Sequence, residues 1–84
     1  MPVTPAAIGA ALKSRRESLR MDIDSIAARA AVPRQRVSDL ELGNSGPLTA
    51  FVAVCEALLV APAEVLREAE RRVSSETEDR HQQS

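Results

Sequence analysis

The sequence predicts an all-α fold of five short helices. Apolar residues recur three and four positions apart in five separate stretches, each stretch opens at a capping residue or a proline, and no apolar–polar alternation outlasts four residues.

Thr4-Pro5 starts the first helix, with threonine as the cap and proline at the first helical position, where its missing N–H costs nothing. Ile8, Ala11, Leu12, Arg15 and Leu19 share one face, so this helix is expected to reach about Leu19. Asp22 caps the second helix, and its charge suits the positive end of the helix dipole. Ile23, Ile26, Ala27 and Ala30 give that helix its apolar pattern. It has room for only about two turns, because Val32 precedes Pro33 and a residue before proline is pushed out of the α region. The third helix follows Pro33, turns Val37 and Leu40 inward and stops at Gly43, where Gly43-Asn44-Ser45-Gly46-Pro47 is the clearest loop in the chain. Thr49 is read as the cap of a fourth helix whose stripe is Phe51, Val54, Cys55, Leu58 and Leu59. Val60-Ala61-Pro62 marks a turn, and a fifth helix runs through Val65, Leu66 and Ala69 towards Val73. Residues 74–84 carry no apolar side chain and are expected to form a disordered polar tail on a domain spanning 1–73.

Composition narrows the function. The 84 residues are 44% apolar and 27% charged, enough for one modest core, since a domain near this size buries roughly 60% of its unfolded surface. A net charge of −1 excludes a strongly basic nucleic-acid coat, and with Phe51 as the sole aromatic a ring platform for stacking bases is excluded too. The average conceals an asymmetry: residues 1–48 sum to +2 and residues 49–84 to −3. No stretch approaches the roughly 20 apolar residues of a membrane span, and the first positive charges follow the first apolar segment, the reverse of a secretion signal. A cytoplasmic protein is expected.

Little in the chain suggests catalysis. His81, the only histidine, lies in the polar tail without a second ligand, and Cys55 sits on an apolar helix face where a buried, inert thiol is expected. Gly9, Gly43 and Gly46 do not make a phosphate-binding loop. The sequence predicts no enzyme, no metal and no cofactor.

The second and third helices have the proportions of a helix-turn-helix, in which the second member enters the major groove of DNA. Its physical requirements are met: Ala27 is small where the helices cross, Ala31 permits a tight turn, and Ile26, Ala30, Val32, Val37 and Leu40 anchor both helices. In order, the chain shows IGAALKSRRESLRM, DIDSIAARAAVPRQRVSDLELG, the loop 43–47, AFVAVCEALLV and APAEVL. From about Ile8 to Leu66 this set resembles the Cro and phage-repressor-like helix-turn-helix family, also called the xenobiotic-response-element (XRE) type. The separate elements are common; their order, with the third helix closing on Leu40-Glu41-Leu42-Gly43, is more specific.

The resemblance implies a repressor-like domain in which Arg34, Gln35 and Arg36 open the recognition helix and address base edges, with Ser38 and Asp39 one turn on. Arg suits guanine O6 and N7, Gln suits adenine N6 and N7, and Asp39 could accept from a cytosine or steer Arg36. Alternatively, Arg34, Gln35 and Arg36 are a solvated helical face. It further implies an ion pair between Arg16 and Glu41 that orients the first helix against the third, against the plainer reading of two unrelated surface charges. DNA-backbone contacts fall on Asp22, Ile23, Asn44 and Ser45, and here the chain departs from the pattern. Ile23 stands where glutamine is usual, Asp22 and Asp24 add negative charge, Pro33 replaces a hydroxyl cap, and Asn44 and Ser45 occupy a loop that is often basic. These departures weaken phosphate binding more than base reading.

Weak half-sites imply a homodimer, since two of them about 34 Å apart make one useful site. Leu59, Leu66, Ala69 and Val73 are the expected interface, rimmed by Arg67, Arg71, Arg72, Glu64, Glu68 and Glu70; the same stripe could instead belong to the core. The sequence thus predicts a regulator that binds double-stranded DNA as a homodimer and represses at a palindromic operator, as a phage-type repressor or as an antitoxin with a toxin or other regulatory protein for partner. The competing reading is a helical protein-interaction module that keeps the fold but has lost DNA binding.

Overall fold

In the computed structural model, which describes residues 3–83 and the side chains of residues 3–75, five helices follow one another. They are α1 (Pro5–Ser18), α2 (Ile23–Ala30), α3 (Arg34–Glu41), α4 (Leu48–Ala57) and α5 (Pro62–Gln83), and no strand occurs among the described residues. The all-α, five-helix fold is therefore as the periodicity predicts.

Two helix starts match their caps. Thr4 Oγ1 accepts from the Ala7 N–H at 3.1 Å and Asp22 Oδ1 accepts from the Ser25 N–H at 2.8 Å. The fourth start corrects the expectation. Pro47, not Thr49, is the cap residue of α4, and its carbonyl accepts the N–H groups of Ala50 at 3.1 Å and Phe51 at 3.2 Å. Pro47 is already extended at φ −62° and ψ 144°, so the first helical position falls on Leu48 and leaves Thr49 inside the first turn. The helix α5 also runs past Val73 to Gln83, where a polar tail is expected. Residues 74–83 contain neither proline nor glycine, and extending a nucleated helix through Ser, Glu and Arg requires little beyond the backbone entropy each new bond offsets.

Four helix ends share one device. Arg20, Ala31, Gly43 and Leu59 each adopt a left-handed conformation, with φ of 56°, 56°, 83° and 58°. After each, the next N–H reaches back to the carbonyl five residues earlier: Met21 to Arg16, Val32 to Ala27, Asn44 to Asp39 and Val60 to Cys55, at 2.8–3.2 Å. This is the Schellman closure, which satisfies carbonyls at a helix end and normally employs glycine. Only the third end has one. A left-handed L-residue costs roughly 1–2 kcal/mol, partly offset by glycine's greater freedom in the unfolded chain. Leu59 is 70% exposed, so its side chain forfeits little burial on removal. Leu59→Gly should raise the melting temperature by about 5 °C; thermal unfolding checks this, and a fall would show that the Leu59 side chain, not its backbone, governs this end.

The core lies between the helices. Leu12, Ile26, Val37, Val54, Cys55 and Leu58 are fully buried, α1 packs on α3 and α5, and α2 packs on α3 and α4. Gly9 is buried where α1 crosses the end of α3, so closely that a Cβ would stand 2.3 Å from the Glu41 carbonyl oxygen and 2.6 Å from that of Leu40. Gly43 meets α1 as well: a Cβ there would lie 3.0 Å from Ala6 Cα, besides the strain of its φ. No single helix among the described residues is long and apolar enough to cross a membrane; α4 and the first part of α5 qualify only jointly, and they are bent by 97°.

Candidate nucleic-acid interface

The helix-turn-helix is α2, the turn 31–33 and α3. Ala31 takes the left-handed turn, and Pro33 at φ −61° and ψ 145° starts α3 without a side-chain cap, its carbonyl accepting the Arg36 N–H at 2.9 Å. Val37 and Leu40 face the core, so the opposite face of α3 is free to meet another surface.

That face carries the residues expected on it. Arg34 and Gln35 are exposed, and Arg36, Ser38 and Asp39 are half-buried. Arg34 Nε lies 2.7 Å from Asp24 Oδ1, an ion pair joining the start of α3 to the start of α2, with the two side chains 67% and 71% exposed. Gln35 Nε2 donates to Asp39 Oδ1 at 2.9 Å. Asp39 therefore steers Gln35, one helical turn away, and not Arg36. Arg36 leans towards the loop instead: a Cβ on Gly46 would lie 3.6 Å from its Cδ. Sequence reasoning missed two members of this surface. Asp24 appears there only as an unfavourable charge, because its partner comes from another helix. Leu42, 70% exposed, lies seven residues after Gln35 and three after Asp39, a helical spacing that could have found it.

The residues assigned to the DNA backbone divide. The Asp22 carboxylate is held below its usual range by the Ser25 backbone and side-chain hydrogen bonds, with smaller help from Arg16 and Arg34, so it caps α2 as an anion. The Ile23 side chain is half-buried and packs against the core, so it offers no polar group to a phosphate. Asn44 and Ser45 are exposed, but the Asn44 N–H is already committed to Asp39 O at 2.8 Å.

The expected Arg16–Glu41 pair is present and bidentate. Arg16 Nε donates to Glu41 Oε2 at 2.7 Å, Nη2 donates to Oε1 at 3.1 Å, and Nη1 reaches the Met21 carbonyl at 3.0 Å. The side chains are 14% and 8% exposed, so this is a nearly buried brace between α1 and the last residue of α3. The hydrogen bond to Glu41 raises the Arg16 pKa against the opposing effect of burial, which keeps the guanidinium charged. Beside it, Arg15 Nε and Nη2 donate to the carbonyls of Leu58 and Leu59, both at 3.1 Å, and complete the C-terminal end of α4.

The expected dimer stripe is not one surface. Ala69 is fully buried and belongs to the core, a correction that follows from α5 packing on α1 through its small side chain. Leu59 borders a hollow with Arg29, Ala53 and Glu56, whereas Leu66 lines a separate apolar groove of about 300 Å³ with Pro5, Ile8, Leu48 and Phe51. Val73 is half-buried. The rim charges pair along α5 itself: Arg67 with Glu64, and Arg71 and Arg72 with Glu68 at 2.9 and 3.4 Å.

Burial pushes the Cys55 thiol up to about 11, so it stays protonated and unreactive. The side chain of His81 lies outside the described residues, and among those described no three His, Cys, Asp or Glu residues gather as a metal site.

Two solved structures of the clp gene regulator ClgR from Corynebacterium glutamicum resemble this chain. One is 32% identical, covering 86% of this chain and 95% of its own with a TM-score of 0.75. The other is 30% identical, covering 96% of this chain and 89% of its own with a TM-score of 0.80. No family model and no curated protein matches the chain.

Proposed function

The chain belongs to the family of the clp gene regulator ClgR, and from that premise we propose that it is a sequence-specific DNA-binding transcriptional regulator of the Cro and phage-repressor-like (XRE) type. It binds a palindromic operator as a homodimer and represses by occupying it, in the cytoplasm. The observation that carries this reading is α3: Val37 and Leu40 fix one side in the core while Arg34 and Gln35 are exposed on the other. Arg34 reads guanine, Gln35 reads adenine, Ser38 and Asp39 extend the contact by a turn, and exposed Leu42 suits a thymine methyl. The N-terminus of α2 and the loop at Asn44 and Ser45 meet the phosphates. For the second copy, the exposed leucines beside the apolar groove, Leu48 and Leu66, supply apolar surface that Ala69 does not.

Selection from randomised duplex at several salt concentrations tests the reading. The expected result is an enriched sequence with two-fold symmetry and an affinity that falls linearly with salt on logarithmic axes. Kinship with a clp gene regulator makes clp promoters the first natural operators to try. Arg34→Ala or Gln35→Ala should change which bases are preferred, whereas Lys13→Ala, exposed on α1, should at most weaken all sequences alike. No enrichment even at low salt would overturn the proposal in favour of the interaction module, a reading to which the carboxylates of Asp22 and Asp24 lend weight.

A further inference from the structure

On the exposed face of the helix-turn-helix, one carboxylate from α2 has a partner on α3. Asp24 is no cap, since Asp22 already accepts the Ser25 N–H, and both Asp24 and Arg34 are about two-thirds or more exposed, so their pair adds little to folding stability. Its geometry is nonetheless selective. The carboxylate engages the Nε of Arg34 at 2.7 Å and leaves the two Nη groups at the far edge of the guanidinium. Those are the donors that a bidentate contact with guanine O6 and N7 needs. An unpaired arginine in the same place would swing among rotamers and pair with any phosphate in reach; the ion pair biases Arg34 towards rotamers that keep this edge free, and its partner's charge repels the backbone.

We propose that Asp24 is a specificity-determining residue of the reading face: it positions Arg34 for one guanine and disfavours phosphate-only binding. This rests on the DNA-binding function proposed above. Gln35 donates a hydrogen bond to Asp39 within α3, so each of the two leading readers has a carboxylate partner before any DNA arrives. The near-neutral charge of the chain then becomes part of the device, because low non-specific affinity widens the ratio between right and wrong sites.

The test compares the wild-type protein with Asp24→Asn, Arg34→Ala and the double variant, titrated against the selected duplex, single-base variants of it and random duplex at several salt concentrations. Asp24→Asn should bind random duplex several-fold more tightly and lose about tenfold in discrimination at one base pair. That base pair should be the one whose preference Arg34→Ala abolishes, and the double variant should discriminate there no worse than Arg34→Ala alone. Thermal melts serve as the folding control, and because Asp24 lies in the first turn of α2, losing its charge should lower them by no more than a few degrees. Undiminished discrimination in Asp24→Asn, or a loss at a different base pair, overturns the inference while the wild-type consensus keeps the DNA-binding function intact. A wild-type protein that selects no sequence overturns both.

Discussion

Gly9→Ala is expected to destabilise the protein by about 3 kcal/mol and to lower its melting temperature by about 15 °C. On local grounds the opposite would be expected, because alanine in a helix interior is favoured over glycine by about 1 kcal/mol. The decisive fact is what lies opposite. A Cβ at this position would sit 2.3 Å from the Glu41 oxygen, 2.6 Å from the Leu40 oxygen and 2.7 Å from the Glu41 carbonyl carbon, all main-chain atoms with no rotamer to adjust. Either α1 lifts off the end of α3 or α3 shifts, and both disturb contacts of the fully buried Leu12 and Val37. Gly46→Ala is the control: its Cβ would first meet the Leu40 Cδ2 at 3.4 Å, an ordinary contact, so it should melt within a few degrees of the wild type. Urea and thermal unfolding of the two variants decide the matter, and a Gly9→Ala protein as stable as Gly46→Ala would mean that α1 does not seat so closely.

What a sequence makes legible is what its neighbours along the chain determine. Thr4 and Asp22 cap their helices through bonds to residues three positions on, and Gly43 ends α3 within a five-residue closure, so each can be read locally. Thr49 misleads because its cap chemistry is sound while Pro47, two residues earlier, has already begun the helix. The glycine in IGAAL carries a weaker signal: a glycine among good helix formers costs about 1 kcal/mol relative to alanine, and only the fold reveals that the end of α3 requires it. Ala69 and Leu66 both lie on the apolar stripe of α5, and volume alone favours Leu66 for the interior. The close approach of α1 and α5 selects the smaller residue instead, leaving Leu66 38% exposed. Of the reading face, Gln35 and Asp39 are spaced for a local bond, whereas Asp24 and Arg34 meet only because the turn 31–33 folds α3 back beside α2.

Arg16→Met should destabilise by about 3 kcal/mol, whereas Arg16→Met combined with Glu41→Leu should recover most of that loss. The asymmetry follows from burial. Removing the guanidinium leaves a carboxylate only 8% exposed without either of its two charge-assisted bonds, and the Met21 carbonyl also loses its partner. A short glutamate at the last position of α3 reaches water less readily than a long arginine would. Glu41→Leu alone is expected to be milder, about 2 kcal/mol, because the longer arginine retains its Met21 bond and can extend its head outward along its apolar stem. Two apolar side chains of similar volume leave no buried charge at all, so the pair's contribution appears chiefly as coupling, about 4 kcal/mol in a double-mutant cycle by urea unfolding. Because the brace is nearly buried, this coupling should change little with added salt, unlike that of the exposed Asp24–Arg34 pair. The functional consequence separates from the energetic one: Gly9 and Arg16, two turns apart on α1, both grip the end of α3, and a double variant that is stable yet reads DNA less selectively would show that the charged brace sets the pose of the recognition helix. Additive single losses, with no recovery in the double variant, would instead reduce Arg16 and Glu41 to independent surface charges.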